Sequence, residues 1–219
     1  ISYLGLYGSY AYNIKISGEI RLSMGLLAGM VQHKVDFSTA IDATDPAALG
    51  TPSKFIPDGS LGFYLYTSQY FAGFSVNHIF FNNMSLLEEY DDGYNINDNR
   101  LKPYFNIQGG YKYNLNRNFD IEPTVLVKAS PHFDFITDIS ARAIYQKMVW
   151  GGLGSRFTFK NMDAIIIFMG YNYNDLVNIG YSYDWSLSSF GKTSYGSHEV
   201  MIGVKFDDIR KSKSKRKIR

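Results

Sequence analysis

The chain alternates. From Val177 to Trp185 the odd positions are Val177, Ile179, Tyr181, Tyr183 and Trp185, and the residues between them are Asn178, Gly180, Ser182 and Asp184. Successive side chains of an extended strand point to opposite faces, so this segment has one apolar and one polar face. Three further segments repeat the pattern. Val200, Ile202, Val204 and Phe206 stand against Glu199, Gly203 and Lys205. Phe119, Ile121, Val125 and Val127 stand against Asp120, Glu122, Thr124 and Lys128. Phe135, Ile139, Ala141, Ala143 and Tyr145 stand against Asp138, Ser140 and Arg142. A soluble sandwich also alternates, but these runs are about ten residues long, the length a tilted strand needs to cross a bilayer.

Extending this reading predicts about eleven strands, over 1–13, 18–33, 59–68, 70–81, 102–115, 119–130, 134–145, 147–158, 162–172, 175–185 and 196–206. Transmembrane barrels keep short turns on the periplasmic side and longer loops outside. If the last strand runs down to the periplasm, the long connections 34–58, 82–101 and 186–195 all fall outside. The short ones near Lys15, Ser68, Asn116, Gln146 and Asn174 all fall inside. Two connections, near His132 and Lys160, are short yet external, which weakens this pattern slightly. The expected fold is therefore all-β, a transmembrane antiparallel up-and-down β-barrel over 1–206, followed by a basic periplasmic tail over 207–219.

Composition agrees. Aromatic residues make up 16% of the 219 positions, with 18 Tyr and 16 Phe. Tyr suits a membrane interface, where the ring is buried and the hydroxyl stays wet. The net charge of +2 and the hydrophobic fraction of 45% decide nothing by themselves. There is no Cys, which excludes disulfides and zinc–thiolate sites. The most apolar run, Ala164–Met169, is far short of the roughly 20 residues of a membrane helix. The chain starts without Met or a signal peptide, and Ile1–Tyr7 already reads as a strand, so further sequence is expected upstream. An odd count of about eleven strands, which would leave an unpaired edge in lipid, points the same way.

Two segments carry a family resemblance: Gly180-Tyr-Ser-Tyr-Asp-Trp-Ser-Leu-Ser188 and Gly196-Ser-His-Glu-Val-Met-Ile202. Supporting stretches are Ser9-Tyr-Ala-Tyr12 with Gly25-Leu-Leu-Ala-Gly29, Gly62-Phe-Tyr-Leu-Tyr66, Phe74-Ser-Val-Asn-His78 and Ile121-Glu-Pro-Thr-Val-Leu-Val-Lys128. Together they resemble the PorP/SprF outer-membrane proteins of type IX secretion and gliding in Bacteroidetes, from near residue 9 to 206. The resemblance implies about three additional upstream strands, giving about fourteen, an even and closable number. It also implies a bacterial outer-membrane location, a partner among secreted adhesins or type IX cargo, contact with periplasmic secretion and motility components, and no catalytic residues or cofactor.

Candidate contact residues follow from charge. The tail carries Arg210, Lys211, Lys213, Lys215, Arg216, Lys217 and Arg219, too dense in like charge to pack. It reads either as a docking arm for an acidic periplasmic partner or anionic lipid, or as a solvated tail. A barrel tail does not meet nucleic acid. Loop 87–100 carries Asp91, Asp92 and Asp98 and reads as a partner-contacting or solvated external loop. Its oxygen ligands suit calcium but lack EF-hand spacing. Loop 34–58, with Asp36, Asp42, Asp45 and Asp58, is a second candidate for partner contact. His33, His78, His132 and His198 are scattered, with no nucleophile signature, so no enzyme is expected. Inward charges Glu19, Arg21, Lys112, Asp120, Glu122, Lys128, Asp138, Arg142, Arg156, Glu199 and Lys205 either line an aqueous pore or pair across strands. The first alternative describes a porin or a fatty-acid-channel-like transporter.

Overall fold

The computed structural model describes residues 2–34, 53–83, 100–130, 133–158, 161–173, 176–187 and 196–205. They form strands β1 (Ser2–Ser17), β2 (Ile20–Lys34), β3 (Ser53–Tyr66), β4 (Tyr70–Asn77), β5 (Tyr104–Tyr111), β6 (Tyr113–Asn114), β7 (Phe119–Ser130), β8 (Phe133–Tyr145), β9 (Val149–Phe157), β10 (Met162–Tyr173), β11 (Val177–Ser186) and β12 (Ser197–Val204). The strands make one 12-stranded sheet whose order follows the sequence, except that the short β6 pairs with β7 off the main path. The expected all-β antiparallel architecture is what the chain adopts. The segment expected as one strand over 102–115 is divided at Lys112, whose N–H bonds the Gln69 carbonyl at 2.5 Å.

Two compact units share the chain. The first is Ile1–Thr67 with Phe71–Ile107 and Lys128–Asp134; the second is Ser68–Tyr70 with Gln108–Val127 and Phe135–Arg219. In the first, β1 to β4 are successive antiparallel hairpins. The turn expected near Lys15 lies at Gly18–Glu19, and Gly18 takes φ +52, which a Gly-X hairpin turn supplies without a Cβ penalty. β1 is longer than expected for that reason.

The expected external loop 34–58 needs a correction. Pro57-Asp58-Gly59 reads as a turn, but Met30 pairs with Pro57 and Gly29 with Asp58, so β3 starts at Ser53. Asp58 therefore leaves the loop and its expected partner contact; it is only 3% exposed. β4, expected to reach residue 81, ends at Asn77 because His78 and Phe81 take positive φ of 57° and 50°. Asp36, Asp42 and Asp45 lie outside the described residues.

In the second unit β8 to β12 pair in sequence order. The register puts Ile139, Leu153, Ile167, Ile179 and Ile202 on one face; Leu153 is 62% exposed and Ile202 70%. Buried hydrophobics among the described residues are few: Ile56, Ile144 and Ala164. A water-soluble fold hides its large apolar side chains in a core; here they stand exposed in rows along one face, the arrangement expected in contact with lipid. Tyr145, Tyr171 and Tyr173 sit on this same face next to the short turns, where a wet hydroxyl and a buried ring are both satisfied.

Candidate functional site: the polar face

The opposite face of the second unit is a chain of cross-strand ion pairs. Asp138 of β8 stands opposite Arg156 of β9, and Arg156 Nε donates to Asp138 Oδ1 at 2.8 Å. Arg156 Nη1 also reaches across β10 to Asp184 Oδ2 at 2.7 Å. The residue of β10 facing Arg156 is Ala164, whose small side chain leaves that route open. Arg142 Nη2 donates to Glu122 Oε1 at 2.5 Å and lies 5.5 Å from the Trp150 ring centroid. Lys112 Nζ is 3.0 Å from Asp120 Oδ2, and Asn114 donates to the same carboxylate. Thr124 and Ser140 hydroxyls meet at 2.6 Å. Six of the eleven charges expected on the inward face, Lys112, Asp120, Glu122, Asp138, Arg142 and Arg156, are thus ion-paired with one another. Asp184 was visible as polar-face but not as a partner of Arg156, because the two are separated by an intervening strand.

Replacing Arg156 by Gln is expected to leave Asp138 and Asp184 facing each other without their shared cation. With Arg156 about a third exposed, the loss is about 2–3 kcal/mol rather than the full value of a buried pair. Arg156→Lys should recover only part, since an ammonium lacks the fork that serves two carboxylates. Urea unfolding midpoints in lipid vesicles measure both; an unchanged midpoint for Arg156→Gln would show that the pairs carry no stability.

The first unit carries a second cluster, centred on Asp58. Its Oδ2 accepts from the Tyr7 hydroxyl at 2.9 Å, and its Oδ1 accepts from the Gly59 N–H at 2.8 Å. His78 Nδ1 lies 2.9 Å from Oδ2, and its ring meets Tyr104 edge-on at 5.3 Å between centroids. Tyr7 pairs with Gly29, which pairs with Asp58, so the Tyr7 ring crosses over Gly29 to reach the carboxylate. A Cβ at Gly29 would lie 2.6 Å from Tyr7 Cδ1, so glycine is required for this approach. Sequence spacing gave no sign of this cluster, because its members come from four separate segments.

The remaining histidines with described positions are structural in their contacts. His33 is buried and stacks on Tyr3 at 4.8 Å. His198 Nδ1 lies 2.8 Å from the Tyr181 hydroxyl, with Tyr183 stacked at 4.8 Å. Arg210, Lys211, Lys213, Lys215, Arg216, Lys217, Arg219, Asp91, Asp92, Asp98 and His132 lie outside the described residues. Among the described residues, no three His, Asp or Glu side chains come together as metal ligands would.

An exposed apolar face backed by a face of paired charges is the arrangement of a membrane-spanning sheet. The family model described as type IX secretion system membrane protein PorP/SprF matches residues 1–204. The chain belongs to the PorP/SprF family. Its fold is accordingly that of a membrane β-barrel family, and its coarse role is that of a membrane component of type IX secretion. The match spans both units and every strand of the sheet, ending at the last residue of β12. A search of curated proteins finds no match to the chain.

Proposed function

We propose that this PorP/SprF chain is a non-enzymatic outer-membrane barrel that anchors or presents a secreted surface adhesin and contacts periplasmic components of the secretion and gliding machinery. The carrying observation is the family match over residues 1–204, joined to a sheet whose large apolar residues are exposed in rows. The adhesin is held by the long connections, including the segment with Asp91, Asp92 and Asp98. The periplasmic contact is made by the cationic tail from Arg210 to Arg219. Lipid surrounds the apolar face, and mutual pairing of the polar-face charges supports anchoring over solute passage.

Deletion of 209–219 is expected to reduce co-purification of periplasmic ring proteins at least about tenfold, as the loss of several charge-assisted contacts predicts. Adhesin recovery and membrane insertion should be unchanged. Unchanged recovery of the ring proteins with a correctly inserted barrel sinks the tail assignment. Single-channel recordings test the transport alternative: robust solute flux would favour a porin.

A further inference from the structure

At the short-turn end of the second unit, three turns enclose a hollow of about 740 Å³. Its lining includes Lys112, Arg117, Lys147, Gln146, Asn118 and a single carboxylate, Asp120. Lys112 already pairs with Asp120. The hollow therefore carries surplus positive charge from Arg117 and Lys147; among the described residues no carboxylate pairs with Arg117.

The rim is held in place rather than loose. Lys112 N–H bonds the Gln69 carbonyl at 2.5 Å, and Gln146 N–H bonds the Asn118 carbonyl at 2.7 Å. Asn116 Oδ1 accepts from the N–H groups of Asn118 and Phe119, both at 2.9 Å. The turn after β8 supplies an independent sign of use. Gln146 and Lys147 take φ of 49° and 62°, with Met148 N–H bonded to the Tyr145 carbonyl at 3.0 Å. That is the geometry for which Asn-Gly is the low-strain sequence. Two long side chains occupy it instead, and both line the hollow. Backbone strain retained at such a position is characteristic of a site whose side chains are used.

We infer that this hollow is a docking site for an acidic peptide segment of a periplasmic protein. The assignment rests on the proposed function, which places the short turns on the periplasmic side. Positive charge calls for an anionic occupant, and amide side chains on the wall can bond an extended peptide backbone. A lipid headgroup would need its acyl chains beside it. The hollow instead lies on the polar face, opposite the apolar row that includes Phe119, Ile121 and Tyr145.

The probe is a fluorescein-labelled decapeptide of alternating Asp and Glu, titrated by anisotropy into the detergent-solubilised full chain, with an Asn–Gln decapeptide as the neutral control. Arg117→Gln should weaken acidic-peptide binding at least about tenfold, the loss of one charge-assisted contact. The decisive variant is Gln146→Asn with Lys147→Gly. It should bind the peptide about tenfold more weakly while its thermal midpoint rises by a few degrees as the turn relaxes. The tail also attracts the probe, so each variant is read as a ratio to the wild type, in which the tail is common. Wild-type binding by the double variant overturns the proposal. So does equal competition by glycerophosphate and unlabelled peptide, which would assign a phosphate headgroup instead. A membrane-impermeant maleimide on Arg117→Cys separates the two levels of inference. Labelling only after the outer membrane is opened supports the periplasmic side; labelling in intact cells overturns that orientation even where the peptide still binds in detergent.

Discussion

Leu153→Arg is expected to lower the stability of the membrane-inserted protein by about 2–4 kcal/mol, the cost of a cation at the lipid-facing midplane of a barrel. Leu153 is the central residue of β9, 62% exposed, and sits between Ala141 of β8 and Ile167 of β10. Water around such a row would make the substitution nearly neutral, so the magnitude reports on the solvent. Ser182→Arg is the matching control. Ser182 lies on the polar face of β11, between Phe168 of β10 and Glu199 of β12, where a guanidinium finds an anion and an aromatic ring. Its expected effect is below about 1 kcal/mol, as for an exposed ion pair. Urea unfolding in phospholipid vesicles measures both variants. Equal losses at the two positions would contradict the assignment of the faces.

Asp58→Ala is the second large effect, expected at about 3–5 kcal/mol. The carboxylate is buried and serves Tyr7, His78 and the Gly59 N–H together. Removing it leaves those donors facing one another without an acceptor, which costs more than the net worth of the bonds themselves. Asp58→Asn keeps an acceptor and the volume, and should lose about 1–3 kcal/mol. Tyr7→Phe removes one half-exposed contact and should lose about 1 kcal/mol or less. The same carboxylate fastens the segment after β4. Ile79 N–H bonds the Gly59 carbonyl at 3.1 Å, and Asn82 Nδ2 bonds the Pro57 carbonyl at 2.5 Å. In Asp58→Ala the Ile79 amide should therefore exchange with solvent faster, while amides in the β9–β10 ladder keep their protection. Wild-type exchange at Ile79 together with a stability loss under about 0.5 kcal/mol would remove Asp58 from this role.

The sequence by itself determined the strands and their faces. In β11 and β12 the apolar rows read from alternation, Val177 to Trp185 and Val200 to Val204, are the rows the register aligns on one face. This works because the period of a strand is two residues: one pair of letters fixes which side every later side chain takes. The hairpin ends were less legible. Pro57-Asp58-Gly59 carries turn residues yet lies inside β3, because pairing with β2 outweighed local propensity there. At Gln146-Lys147 strand spacing placed the turn correctly, but its left-handed conformation was not legible, because neither residue is a turn former.

Only the tertiary structure decided which polar residues meet. Arg156 finds Asp184 across an intervening strand, Tyr7 finds Asp58 by crossing Gly29, and Lys112, Arg117 and Lys147 gather around one hollow from separate segments. Alternation specifies a face, and it is blind to distance along that face. Distance comes from the register between strands, which is fixed by turn length and by the summed fit of whole ladders rather than by any one residue.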